Sequence, residues 1–162
     1  MRACIAAFAL LICGATAGAP SSSQSLDAGW QFRLAPDANA KDYPQAAHWL
    51  SGTVPGSAQT DLLARHLIPD PYLGENEAKV QWVGLSDWQY RTNFNVGAAT
   101  LRRGHVELVF EGLDTFADVY LNGRKLISSD NMFRRWSAPV KPLLHAGANT
   151  LEVRLYSPIE RV

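Results

Sequence analysis

The chain has 162 residues, 47% of them hydrophobic, with 15 basic residues against 15 acidic ones and two cysteines. A charge balance near zero gives no electrostatic footing for nucleic acid or for an anionic membrane surface, and a chain of this length closes around one core rather than two. Cys4 and Cys13 both lie close to the N-terminus, so the rest of the chain can form neither a disulfide nor a thiolate metal site.

Met1-Arg2, the apolar run from Ala3 to Cys13 and the small triplet Ala15-Thr16-Ala17 compose a secretory signal cut after Ala17. The run is too short to span a bilayer. Leu10-Leu11-Ile12-Cys13 approaches a lipidation site, but the bulky Ile12 stands where such sites need a small residue, which favours ordinary cleavage. An exported chain whose mature part lacks cysteine must rely on core burial alone, as suits a bacterial periplasm or a secreted bacterial protein. Residues 18–25 follow as a Pro/Ser/Gln linker, and residues 26–162 are expected to form one domain.

Gly29 to Leu34 alternates large apolar with polar residues and reads as a half-buried strand, and Ala35 to Gln45 as loop. Ser57 is placed to cap a short helix through about His66, with Leu62, Leu63 and Leu67 as its apolar side and Arg65 and His66 at its negative end. Two prolines forbid regular structure over Ile68 to Tyr72, and Leu73 to Ser86 is expected to be irregular or briefly helical. Trp88 to Val96 reads as a strand, Gly97 to Gly104 as a turn, and Val106, Leu108 and Phe110 as one face of the next strand.

The stretch Leu113 to Leu126, LDTFADVYLNGRKL, puts Ala117, Val119 and Leu121 on one face and ends in Asn122-Gly123, so it is a strand running into a hairpin with Lys125 to Ser129. A strand over Trp136 to Val140, a turn over His145 to Asn149 and a last strand carrying Leu151, Val153 and Leu155 complete the series. Short alternating strands separated by turn signals predict an all-β fold, an antiparallel β-sandwich of jelly-roll type with a short helical insertion. A sandwich whose last strand is so near the chain end is expected to leave a strand edge unpaired, so the chain reads as C-terminally truncated.

Taken in order, WQF, VPGSAQTDLL, IPDPYLGENE, QWVGLSDWQYRTNF, GLDTFADVYLNG, SDNMFRRW and GANTLEVRLYSP resemble the N-terminal, galactose-binding-like domain of glycoside hydrolase family 2 β-mannosidases, from about Leu26 to Pro158. FADVYLNG with the later Asn-Thr-Leu is shared across that family, including β-galactosidases and β-glucuronidases, whereas IPDPYLGENE and SDNMFRRW point toward mannosidase. The resemblance implies a retaining β-mannosidase, exported by the signal read above, of which this segment is a non-catalytic part. It packs there on immunoglobulin-like and TIM-barrel domains, and the barrel holds both catalytic glutamates and the β-mannoside. No cofactor and no metal is implied. A free-standing carbohydrate-binding module and a structural scaffold without hydrolase activity are the alternatives.

Retaining hydrolysis needs two carboxylates about 5 Å apart. Asn76-Glu77 looks like the Asn-Glu dipeptide that carries the family's acid/base, but it sits in an irregular segment rather than at the end of a barrel strand. Asn76 and Glu77 are instead candidates for contacts to sugar hydroxyls, against the alternatives that Asn76 caps the following segment and Glu77 is solvated. Trp82 is a candidate for stacking on a pyranose face, against burial in the core, which is favoured for Trp88. Asn131, Phe133 and Arg134 form a loop hard to place in a core and are read as a surface that docks a neighbouring domain, with direct sugar binding and an ordinary hairpin turn as the alternatives. His48, His66, His105 and His145 show no ligand spacing.

Overall fold

A computed structural model describes residues 22–38 and 43–161. The expected signal and the start of the linker lie outside the described residues. Among the described residues eight strands form: β1 Gln31–Leu34, β2 Leu50–Ser51, β3 Trp88–Val96, β4 Glu107–Phe110, β5 Phe116–Leu121, β6 Arg124–Asp130, β7 Trp136–Pro139 and β8 Gly147–Tyr156. Six make one antiparallel sheet in the order β2-β1-β3-β8-β5-β6, and β4 pairs with β7 in a second sheet. The antiparallel all-β class expected from the alternation is therefore the class observed.

Two strands cannot cover six, and the helical segments complete the second layer. Helices α1 Ala58–Ala64 and α2 Asn76–Val80 and the 3-10 turns Pro44–Ala47 and Gln81–Val83 send Ala46, Leu62, Val80 and Val83 into the same core as Phe32, Tyr90, Val119 and Val153 of the sheet. Full burial of a side chain such as Phe32 or Leu62 is worth about 1.5–3 kcal/mol each. Phe32, Trp88 and Trp82 form a chain of tilted rings with centroids 5.8 and 5.9 Å apart, and the Trp88 indole donates to Val83 O at 2.9 Å.

Helix α1 begins where expected. Ser57 caps it through a reciprocal box with Thr60, and its C-terminus closes with Leu67 N donating to Leu62 O and His66 N to Leu63 O, which places His66 at φ 56. Arg65 is the C-cap residue, its N–H donating to Leu62 O, and its guanidinium reaches across to donate to Ser51 O of β2 at 2.6 Å. Two expectations change. Helix α3, Ala98–Leu101, occupies the expected turn after β3, and β8 starts at Gly147, inside the expected turn before it. The last strand itself is not an edge: β8 lies between β3 and β5 and pairs with both, and the edges of the large sheet are β2 and β6.

The reason β8 starts early is Asn149, only 1% exposed. Its amide donates to His145 O and Gly147 O, and its Oδ1 accepts from His145 N and from Asn122 Nδ2. Asn122, at φ 50 in the hairpin turn with Gly123 at φ 78, also donates to Leu143 O and accepts from Thr150 N. The two asparagines thus tie the β5–β6 turn to the start of β8, and every hydrogen-bonding position of the Asn149 amide is used.

Candidate functional site

The ends of the strands decide which loops meet. β1, β6 and β8 finish, and β3 and β5 begin, at one end of the large sheet. That end therefore gathers the segments preceding β3 and β5, the loop Asn131–Arg135 and the helix α4 Pro158–Arg161. Among the described residues the large exposed hydrophobic side chains are Tyr72, Leu73, Leu85, Met132, Phe133 and Ile159. Four of the six stand on this end, with Phe133 89% exposed. A concentration of apolar area on one end is not what solvation alone produces.

Phe133 is held out by its own loop. Asn131 Oδ1 accepts from Phe133 N at 2.8 Å, Asn131 O accepts from the Trp136 indole at 3.1 Å, and the Arg134 guanidinium lies 4.3 Å from the Trp136 ring centre. Asn131 and Arg134 thus brace the loop, and the phenyl ring is left to solvent. The chain beyond β8 is fixed at the same end: Ser157 N donates to Asp87 Oδ1, Ser157 Oγ to Gly84 O, and Ile159 lies over Gly84. Arg154 donates to Asp87 at 2.9 Å and to Asp37 at 2.6 Å, and its guanidinium holds the Asp37 carboxyl below the usual carboxylate range. This is one place where two carboxylates converge. It suits no proton donor, because the arginine favours the ionised form of Asp37.

Asn76 opens α2, with Glu75 as the capping residue, so Asn76 is not the cap. Its Nδ2 donates to Asp70 O at 3.0 Å and its Oδ1 accepts from Lys79 at 3.1 Å. One N–H and one lone pair of that amide remain for a sugar hydroxyl. Glu77, one residue on, is exposed. Asp70 in turn accepts from Tyr72 N, so the IPDPYLGENE stretch is a braced loop that carries Tyr72, 92% exposed, at its tip. Pattern reading did not single out Tyr72; a tyrosine among prolines and a glycine carries no period, and the Asp-Pro-Tyr turn was the available signal. Beside the loop lies an open depression of about 680 Å³, lined by Leu63, His66, Leu67, Ile68, Pro69 and Asp70.

Trp82 is half-buried behind α2. Tyr43 stacks on it at 3.6 Å between ring centres and 10° between planes, and Trp88 lies against it. One face of the indole is thus already covered. Asn76, Glu77 and Trp82 share a single short segment, while Asn131, Phe133 and Arg134 occupy the β6–β7 loop. No group of three His, Cys, Asp or Glu residues that could hold a metal ion is found among the described residues.

With this geometry, the likeness to known proteins falls in one place. A β-D-mannosidase from Dictyoglomus thermophilum is similar in structure, with a TM-score of 0.76 and 46% identity, covering 84% of this chain and 16% of that one. A β-glucuronidase from Ruminococcus gnavus shares the fold, with a TM-score of 0.59 at 22% identity over 83% of this chain and 21% of that one. In sequence, Beta-mannosidase B of Thermothelomyces thermophilus is 40% identical over 136 residues, which is 83% of this chain and 15% of that protein. Beta-mannosidase of Bos taurus is 38% identical over 110 residues, 68% of this chain and 12% of that protein. The chain thus spans about 15% of the length of the curated relatives it matches. The profile described as "Glycosyl hydrolase 2 galactose-binding domain-like" matches residues 30–162, and the chain belongs to that family.

Proposed function

We propose that this domain is the non-catalytic, sugar-binding-like part of an exported β-mannosidase, a retaining family 2 glycoside hydrolase whose nucleophile and acid/base lie on a TIM barrel outside these residues. The observation that carries the reading is the 46% identity, over 84% of this chain, to a β-mannosidase of which the chain matches 16%. The convergent carboxylates described above favour the ionised state of Asp37 through Arg154, which agrees with a structural part.

In this reading the domain has two tasks. Phe133, braced by Asn131 and Arg134, inserts into the barrel or an immunoglobulin-like domain, with Leu85, Met132 and Ile159 widening the contact. Asn76, with the one N–H and one lone pair its amide has left, and the exposed Glu77 wall the sugar pocket, and Trp82, stiffened by Tyr43, presents its remaining edge to the pyranose. The leader cut after Ala17 sends the product to the periplasm or the medium; mass spectrometry of the exported protein is expected to find Gly18 as its first residue, and an intact Met1 in the cytoplasm overturns the export.

The test of function is hydrolysis of an aryl β-mannoside. The 162-residue chain alone is expected to release no phenol, and the longer protein that carries this domain is expected to do so in preference to the matching β-galactoside and β-glucuronide. Turnover by the chain alone that disappears in Glu77→Gln would place catalysis inside the domain and overturn the proposal.

A further inference from the structure

The open face of the large sheet carries an arrangement that the loop end does not. Across the strand pairs Gln31, Arg91, Glu152, Tyr120 and Lys125 stand side by side in one row. Arg33, Gln89, Arg154, Asp118 and Ser128 form the row beside it. With strands about 4.8 Å apart, each row is roughly 19 Å long. Trp49 lies over one end of the rows, its ring centre 4.3 Å from the Arg33 guanidinium and 4.0 Å from that of Arg91. Between Trp49 and Tyr120 the face sinks into a groove of about 190 Å³, lined also by Gln89, Glu152 and Arg154.

Part of this surface is committed to itself. Gln89 Oε1 accepts from Arg33 at 2.9 and 3.0 Å, Gln31 Oε1 accepts from Arg91, and Asp118 is engaged by Lys125, Ser128 and Tyr156. The complementary groups are left over. Among the described residues, no hydrogen bond or ion pair engages the amide nitrogens of Gln31 and Gln89, the Tyr120 hydroxyl or the Glu152 carboxylate. The groove therefore joins Trp49, whose ring is held against two guanidiniums, and Tyr120 to the unused Gln89 amide nitrogen and Glu152 carboxylate between them, with the Gln31 amide nitrogen beside it.

We propose that this face binds a neutral oligosaccharide, one pyranose ring seated in the groove between Trp49 and Tyr120 and its neighbours lying along the rows. A hydroxyl-rich, uncharged ligand matches donors and acceptors interleaved with apolar ring surface. A protein partner matches less well, because the core of such an interface is depleted of charge and rich in large apolar side chains. The six exposed large hydrophobic residues include none in these two rows. The groove is smaller than a drug-sized pocket, which suits a single ring and an open surface beyond it.

The proposal does not depend on mannosidase activity, and its test reads binding alone. Titration of the chain with mannohexaose and cellohexaose, followed by calorimetry and by tryptophan fluorescence, is expected to give a dissociation constant on the order of 0.1–1 mM for at least one of them. Trp49→Ala and Tyr120→Ala are each expected to weaken binding about tenfold, and Glu152→Gln about threefold. Phe133→Ala is expected to leave it unchanged. Because loss of Trp49 also uncovers Arg33 and Arg91, near-ultraviolet circular dichroism of each variant accompanies the titration, and Glu152→Gln, which removes no packing, is the variant that decides. Wild-type chain with native dichroism that binds neither sugar overturns the proposal. So does binding that survives both Tyr120→Ala and Glu152→Gln, and so does a face that instead captures a separately added domain of the longer protein.

Discussion

Two asparagine-centred turns of this domain look alike in sequence and do opposite things. Asn122 and Asn149 are part-buried and fully buried, and their side chains are spent on backbone and on each other across 27 residues. Asn131 also bonds its own loop, yet it does so at the surface and leaves Phe133 89% exposed. The first turn stores its polar groups inside the fold and contributes stability. The second uses one hydrogen bond to hold an apolar ring in water, a cost to the isolated domain that only a partner removes. The sequence mark of the family, FADVYLNG with Asn-Thr-Leu, thus belongs to folding, and the less regular SDNMFRRW carries the proposed contact.

The contrast can be broken most sharply at Asn149. Asn149→Ala strands the Asn122 amide and the His145 and Gly147 carbonyls, and is expected to cost about 3 kcal/mol in urea unfolding, whereas a loss below about 1 kcal/mol would mean that water replaces the amide. Asp118 comes next. Burial raises its pKa, but hydrogen bonds from Lys125, Ser128 and Tyr156 outweigh that, so its folded value lies below its unfolded one. Stability from this group is therefore present above the unfolded value of about 4 and is lost as pH falls through the folded value. Asp118→Asn is expected to cost roughly 1.5 kcal/mol at neutral pH and to flatten the acid limb below about pH 4; an unchanged limb removes Asp118 from the account.

Smaller effects of opposite sign sharpen the same point about buried polar atoms. The Tyr90 hydroxyl is buried without a hydrogen-bond partner among the described residues. Tyr90→Phe is therefore expected to stabilise by about 1 kcal/mol, and a loss of that size would reveal a bound water. His66→Gly relieves a left-handed residue at the end of α1 and is expected to gain up to about 1 kcal/mol in thermal unfolding. Phe133→Ala is expected to change the stability of the isolated chain by less than about 0.5 kcal/mol.

How much of this was legible in the sequence follows the range of the interactions. Trp88 to Val96 was read to the residue, and the faces of β5 and β8 were assigned correctly, because burial on one side of a strand imposes a local period of two. Ser57 was found as a cap because its partner Thr60 is three residues away. Asn149 was taken for a turn residue, since its decisive partner is Asn122, far away in the chain. The place of β8 in the middle of the sheet was missed for the same reason: strand order is a property of non-local pairing. Phe133 stands out because adjacent Met132 and Phe133 next to Arg134 and Arg135 do not fit a core. Trp49 carries no sequence signal, as a lone aromatic before a two-residue strand shows no pattern, and its two arginines come from other strands.

In the proposed function the loop end of the domain meets another domain on which hydrolysis depends. The most direct test of that contact is aryl β-mannoside turnover by the longer protein carrying Phe133→Glu, with unfolding of the isolated chain followed in parallel. The expected result is a fall in activity of about tenfold or more with the unfolding midpoint unmoved, as for loss of an aromatic anchor from an interface. Full activity in Phe133→Glu, and again in Ile159→Glu, would contradict it.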